Sequence, residues 1–178
     1  MAIAIQFSPA SMDAARYDEI LRRLDAAGEG APAGRIFHVC HGTGDRLRVL
    51  DVWDSRESFE RFGATLLPVL RELGIDPGQP EITGVHNTLA GDAASGAVAV
   101  AFTPHVITAA AYDETMRLLG EAGERATAGL VFHTCHGTGD ELRVFDVWSS
   151  RESFERFGPI LAPLLAAAGI DAGEPEVV

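Results

Sequence analysis

Two successive α+β units, each built strand–helix–strand–strand–helix–strand (βαββαβ), are the architecture the sequence predicts, on three observations. Residues 2–83 align without a gap on residues 97–178, and about 49 of the 82 pairs are identical. Self-similarity at a period of about 95 residues marks two domain-sized copies, not the short repeats of a solenoid. Within each copy, short β-prone runs and helical stripes follow in the same order. Between the copies, Leu89-Ala90-Gly91-Asp92-Ala93-Ala94-Ser95-Gly96 is small and nearly uncharged, as a flexible joint is. The expected organisation is a first unit over 1–88, a linker over 89–96 and a second unit over 97–178.

The elements follow in order. Ile3–Phe7 and its copy 98–102 are short apolar runs, ended by Ser8-Pro9 or Thr103-Pro104. Tyr17, Ile20, Leu21 and Leu24 recur at helical spacing and Gly28 supplies a stop; the copy keeps Tyr112, Thr115, Met116 and Leu119 before Gly123. Arg35–His41 and Leu47–Trp53 are β-prone runs around Gly42-Thr43-Gly44-Asp45, which is hairpin chemistry. A second helix is expected to open with capping-box spacing at Asp54 and Glu57, or Ser149 and Glu152. Its apolar face runs Phe59, Phe62, Leu66, Leu70, with Pro68 and Pro163 expected to kink it or start a new piece. A last strand begins at Glu81, and its copy is short at Glu176-Val177-Val178. Two helices would cover one sheet face of each unit, and the other apolar face would be buried against the second copy.

Composition sets the function classes. With 47% hydrophobic and 22% charged residues the chain can build a core. A net charge of −12 repels phosphate backbones and anionic headgroups, so neither nucleic acid nor membrane is an expected partner. No apolar run spans a bilayer and no signal-peptide pattern opens the chain, so the expected location is cytoplasmic.

The identities between copies are concentrated. From Phe37 to Gly63 only about four of 27 pairs differ, whereas about half differ elsewhere. A joint between the halves, or a site in each half, accounts for this. Strand alternation puts Ile36, His38 and Cys40 on one face, and Val49, Asp51 and Trp53 on one face of the next strand. Neighbouring hairpin strands present like faces together, so His38 and Asp51, and their copies His133 and Asp146, can lie on one side of the sheet and form an acid–base dyad where the turn geometry, which composition does not fix, brings them into register. His41 and His136 fall on the opposite face, at a hairpin edge expected to meet solvent. Paired His on opposite faces and only two cysteines, Cys40 and Cys135, give no closed metal site, so no metal is expected.

Asp51-Val52-Trp53 running into Ser55-Arg56-Glu57-Ser58-Phe59-Glu60-Arg61-Phe62, with this element order, resembles the dimeric α+β barrel superfamily, in particular antibiotic biosynthesis monooxygenase-like domains in tandem duplication. The resemblance covers both copies. It implies an α+β fold of two ferredoxin-like units whose sheets form an intrachain pseudo-dimeric barrel, as a monomer or homodimer. It also implies pockets where Trp53 and Trp148 bind substrate. Heme-degrading relatives carry a His where this chain has Gly63 and Gly158, so axial heme ligation there is not available. The leading expectation is a small-molecule enzyme without a cofactor, oxygenating an apolar or aromatic, polyketide-like substrate. His38 would be its base, Asp51 the orienter, and Arg48 and Arg143 the anion stabilisers. The alternatives are an isomerase or cyclase of similar substrates, and a non-catalytic ligand-binding or scaffolding barrel.

Overall fold

The computed structural model describes residues 1–90, 97–104, 106–171 and 173–177. These divide into two compact units, Met1–Val85 and His86–Val178. Among the described residues are four α-helices and eight strands.

The first unit runs β1 (Ile3–Phe7), α1 (Ala14–Ala26), β2 (Arg35–His41), β3 (Arg48–Trp53), α2 (Arg56–Glu72) and the start of β4 (Glu81–Ala90). Its antiparallel sheet has the order β2-β3-β1-β4. From His86 onward β4 belongs to the second unit. Leu89 and Ala90, expected to open the linker, therefore continue a strand, and 91–96 lie outside the described residues. The second unit continues β5 (Val98–Phe102), α3 (Ala109–Glu121), a short 3-10 turn (Glu124–Thr127), β6 (Leu130–Thr138), β7 (Glu141–Trp148), α4 (Arg151–Ala167) and β8 (Glu176–Val177). Its strand order is β6-β7-β5-β8. No helix among the described residues is long and apolar enough to cross a membrane.

In the first unit α1 and α2 place Ile20, Leu24, Phe62 and Leu70 in one core cluster with Ile3, Ile5, Val49 and Trp53 from the sheet. The second helix begins one residue later than the capping box predicts. Ser55 Oγ and Ser150 Oγ accept from the backbone N–H of Ser58 and Ser153, while Asp54 Oδ1 instead accepts from the Ser55 hydroxyl. Nor does proline interrupt either helix: α2 runs through Pro68, and α4 through Pro159 and Pro163. Each proline removes one helical N–H, but Phe62, Leu66 and Leu70 pack against the core on both sides of Pro68 and hold the axis together.

One irregularity recurs. In β2 the ladder slips between Arg35, opposite Trp53, and Phe37, opposite Val52, leaving Ile36 as an extra residue. The same bulge lies between Leu130 and Phe132. A bulge resets strand alternation. Arg35, not Ile36, consequently shares the face of Asp51 and Trp53, and Ile36 is half exposed, contrary to simple alternation. Immediately before it, Gly34 has φ +93°, and a Cβ there would stand 2.5 Å from Ser58 Oγ. Only glycine brings the strand this close to the start of α2.

Candidate active site

The hairpin β2–β3 sets His38 directly opposite Asp51, and β6–β7 does the same for His133 and Asp146. His38 Nδ1 lies 2.7 Å from Asp51 Oδ1, and His133 Nδ1 lies 2.6 Å from Asp146 Oδ1. Both carboxylates are 3% exposed, so each depends on its imidazole for compensation. A carboxylate only accepts, which places a proton on Nδ1 and turns Nε2 toward the helices.

There Nε2 meets a tyrosine. The Tyr17 hydroxyl lies 2.6 Å from His38 Nε2, and the Tyr112 hydroxyl 2.6 Å from His133 Nε2. Each ring lies nearly parallel to its imidazole, at 5° and 13°. In the second unit the direction of the chain is fixed further. Asn87 Oδ1 accepts from the Thr88 N–H, which turns its amide nitrogen toward Tyr112, and that nitrogen donates to the phenol oxygen at 3.1 Å. Tyr112 must then spend its own proton on His133 Nε2. His86 stands edge-on to the Tyr112 ring and pairs with Asp113 at 2.7 Å.

Both histidines thus have both nitrogens engaged, and the phenol, not the imidazole, is the terminal hydroxyl of each chain. Tyr17 and Tyr112 read in the sequence as members of an apolar helical stripe. The signal that distinguishes them is that they are the only two tyrosines in the chain and occupy matching positions.

Burial pushes the Tyr17 phenol up to about 12, and the Tyr112 phenol is pushed higher still by the same cause. Both are neutral donors at physiological pH. Burial also raises the thiols of Cys40 and Cys135, to about 11 and about 12, which makes them poor nucleophiles. A phenol raised in the folded state binds its proton more tightly there than in the unfolded chain. Stability is therefore retained below about pH 10 and falls as pH rises toward 12. Ultraviolet titration should show essentially no tyrosinate before pH 11 in the folded protein. Full ionisation near pH 10 without unfolding would contradict the buried chains.

Each chain ends at its own cavity between sheet and helices. The first, about 60 Å³, is lined by Tyr17, His38 and Asp51 among apolar walls that include Leu24, Phe62 and Leu70. The second, about 70 Å³, is lined by Tyr112, His133 and Asp146, with Thr115, Leu130 and Trp148. Such volumes hold a few waters or a small fragment, less than the roughly 150 Å³ that accepts benzene. A larger hollow of about 460 Å³ adjoins the first cavity and shares Phe7, Leu66, Leu70 and Pro77 with it.

Trp148 borders its cavity, but Trp53 does not line the first one. It is fully buried one layer back, its ring centroid 5.2 Å from that of Phe62. The Arg35 guanidinium stands over the Phe62 ring at 5.9 Å, where the second unit has the shorter Leu130. Arg48 and Arg143, expected as anion stabilisers, do not line the cavities. They stand opposite His41 and His136, three residues from the aspartates and so on the other sheet face. His41 and His136, expected in solvent, are buried, each still paired in its hairpin ladder opposite Arg48 or Arg143. Among the described residues no cluster of three or more His, Cys, Asp or Glu could hold a metal ion.

The chain matches no protein-family model and no curated protein sequence. It is similar in structure to a candidate monooxygenase from Lactobacillus acidophilus, with a TM-score of 0.68 and 10% identity, over 99% of this chain and 92% of that one. A candidate monooxygenase from Fusobacterium nucleatum matches with a TM-score of 0.64 and 10% identity, over 99% and 88%. A heme-binding protein from Thermus thermophilus matches with a TM-score of 0.56 and 12% identity, over 99% and 89%. At these identities the likeness is one of fold: a mixed α+β architecture shared with proteins described as monooxygenases and as heme-binding.

Proposed function

We propose that the chain is a small-molecule enzyme with one acid–base site per unit, of the cofactor-independent oxygenase kind. The observation that carries this is the hydrogen-bonded Tyr–His–Asp chain ending at an apolar cavity, present twice. We further infer a tandem duplication of a ferredoxin-like unit. The ungapped internal repeat and the equal strand orders support that descent.

In this reading a hydroxylated aromatic substrate seats its ring in the larger hollow and reaches its hydroxyl into the first cavity, where it donates its proton to the Tyr17 oxygen while Tyr17 passes its own to His38 Nε2. The phenol stays neutral throughout, so its high pKa is no obstacle. Asp51 stabilises the imidazolium that forms. The substrate anion, electron-rich and held out of water, gives an electron to O2 and the radical pair closes a C–O bond to a peroxide; the relay returns the proton to the terminal peroxide oxygen, and the hydroperoxide leaves as such or loses water to form a carbonyl. Neutral His38 and neutral Tyr17 are restored at the end of the cycle.

Oxygen uptake with a panel of hydroxylated aromatics tests the proposal. Uptake by the wild type should fall about 100-fold in a Tyr17→Phe, Tyr112→Phe double variant, the size expected for losing a positioned proton donor. Uptake that survives the double substitution sinks the relay. Isomerisation of the same compounds without oxygen would favour the isomerase reading, and binding without turnover the ligand-binding barrel.

A further inference from the structure

The two cavities share Tyr, His and Asp but differ at the residue the bulge points into them. Position 35 is arginine and position 130, its counterpart, is leucine. Both line their cavities. The Arg35 guanidinium is half-buried, donates from Nη2 to the Gly30 carbonyl at 2.7 Å, and lies over the Phe62 ring. It forms no ion pair with a carboxylate among the described residues; Asp51, the acidic residue of the same lining, is committed to His38. A guanidinium has five donors in a planar fork, and one bond to a carbonyl leaves most of them unspent. A cation on an apolar wall with spare donors is the complement of an oxyanion. The setting sharpens the point: on a chain of net charge −12 an anion binds only where a cation is placed for it.

We propose that the first cavity selects a small apolar ligand bearing an oxyanion, held by Arg35, whereas the second selects a neutral apolar ligand. This rests on the acid–base reading of the same cavities and assigns their ligand classes. The oxyanion docks on the guanidinium beside Tyr17, and the apolar body lies along Phe7, Leu66 and Leu70, the wall shared with the larger hollow. In the second cavity Leu130, Thr115 and Trp148 offer no cation, so an anion there would lie near the Asp146 carboxylate without compensation. One chain would then handle the ionised and the neutral member of a substrate class at separate sites.

Isothermal titration calorimetry with propionate and with its neutral counterpart 1-propanol, both small enough for either cavity, at neutral pH, tests the division. The wild type should bind propionate at one site per chain. Arg35→Leu should weaken propionate about tenfold or more, the size of a lost charge-assisted hydrogen bond, and weaken the alcohol far less. Leu130→Arg should create a second propionate site. Arg35→Gln, which keeps a polar side chain of similar reach, guards against misfolding of the leucine variant and should lose propionate to a similar degree. No propionate binding, two equal propionate sites in the wild type, or propionate affinity indifferent to Arg35→Gln would each overturn the proposal. Binding is read without turnover, so failure of the proton relay in the oxygen-uptake assay leaves this outcome independent.

Discussion

Changing both aspartates to asparagine, Asp51→Asn with Asp146→Asn, should lower turnover by about 10²–10⁴ while the fold survives. Asparagine is nearly isosteric, and its carbonyl can still accept from the Nδ1–H that now lies 2.6–2.7 Å from each carboxylate. What disappears is the buried negative charge that stabilises the imidazolium when the proton arrives through tyrosine. Since the carboxylate acts only through histidine, adding His38→Ala and His133→Ala should cost little more than either pair alone. Steady-state rates on the substrate found by oxygen uptake give the comparison, with circular dichroism as the folding control. Full additivity of the two pairs would show that they do not act as one unit.

The largest stability effects belong to the two tryptophans. Trp53→Ala and Trp148→Ala should each destabilise by about 3–5 kcal/mol, the usual cost of emptying a buried aromatic site. Both side chains are fully buried, and their indole N–H groups find no acceptor among the described residues, so the loss is one of packing. Trp53 touches Phe59 and Phe62, and Trp148 touches Phe154 and Phe157, with ring centroids 4.8–6.3 Å apart. The two differ in one respect: Trp148 borders its cavity, so its truncation should also admit a larger ligand to the second site. Urea denaturation of each variant gives the energies. A loss under 1 kcal/mol would mean the neighbouring rings close over the gap.

Residue patterns carried the element order and put His38 and Asp51 on one side of the hairpin, but the register that sets them opposite each other depends on turn geometry, which composition does not fix. Tyr17 escaped for a physical reason. A tyrosine on a helix at i, i+3, i+4, i+7 spacing fits the core stripe whether or not its hydroxyl has a task. Arg35 escaped for a different one: strand alternation assigns it to the face away from His38, and only the extra residue at Ile36 reverses that assignment. The capping residue slipped by one because Asp54 and Ser55 are both good caps, and local spacing does not choose between them. Arg48 followed its alternation faithfully, which is why it does not reach the cavity.

The bulge also bears on how such a protein could be re-tuned. The direction of the side chain at 35 or 130 is imposed by the main chain, whichever amino acid occupies the position, and Gly34 and Gly129 hold the preceding turn at φ +93° and +94°. The slot is therefore addressable on its own, one codon wide and outside the proton-carrying residues. A library randomised at these two positions would vary what each chamber accepts while Tyr, His and Asp stay untouched. Arginine in one slot and leucine in the other are two settings of the same dial.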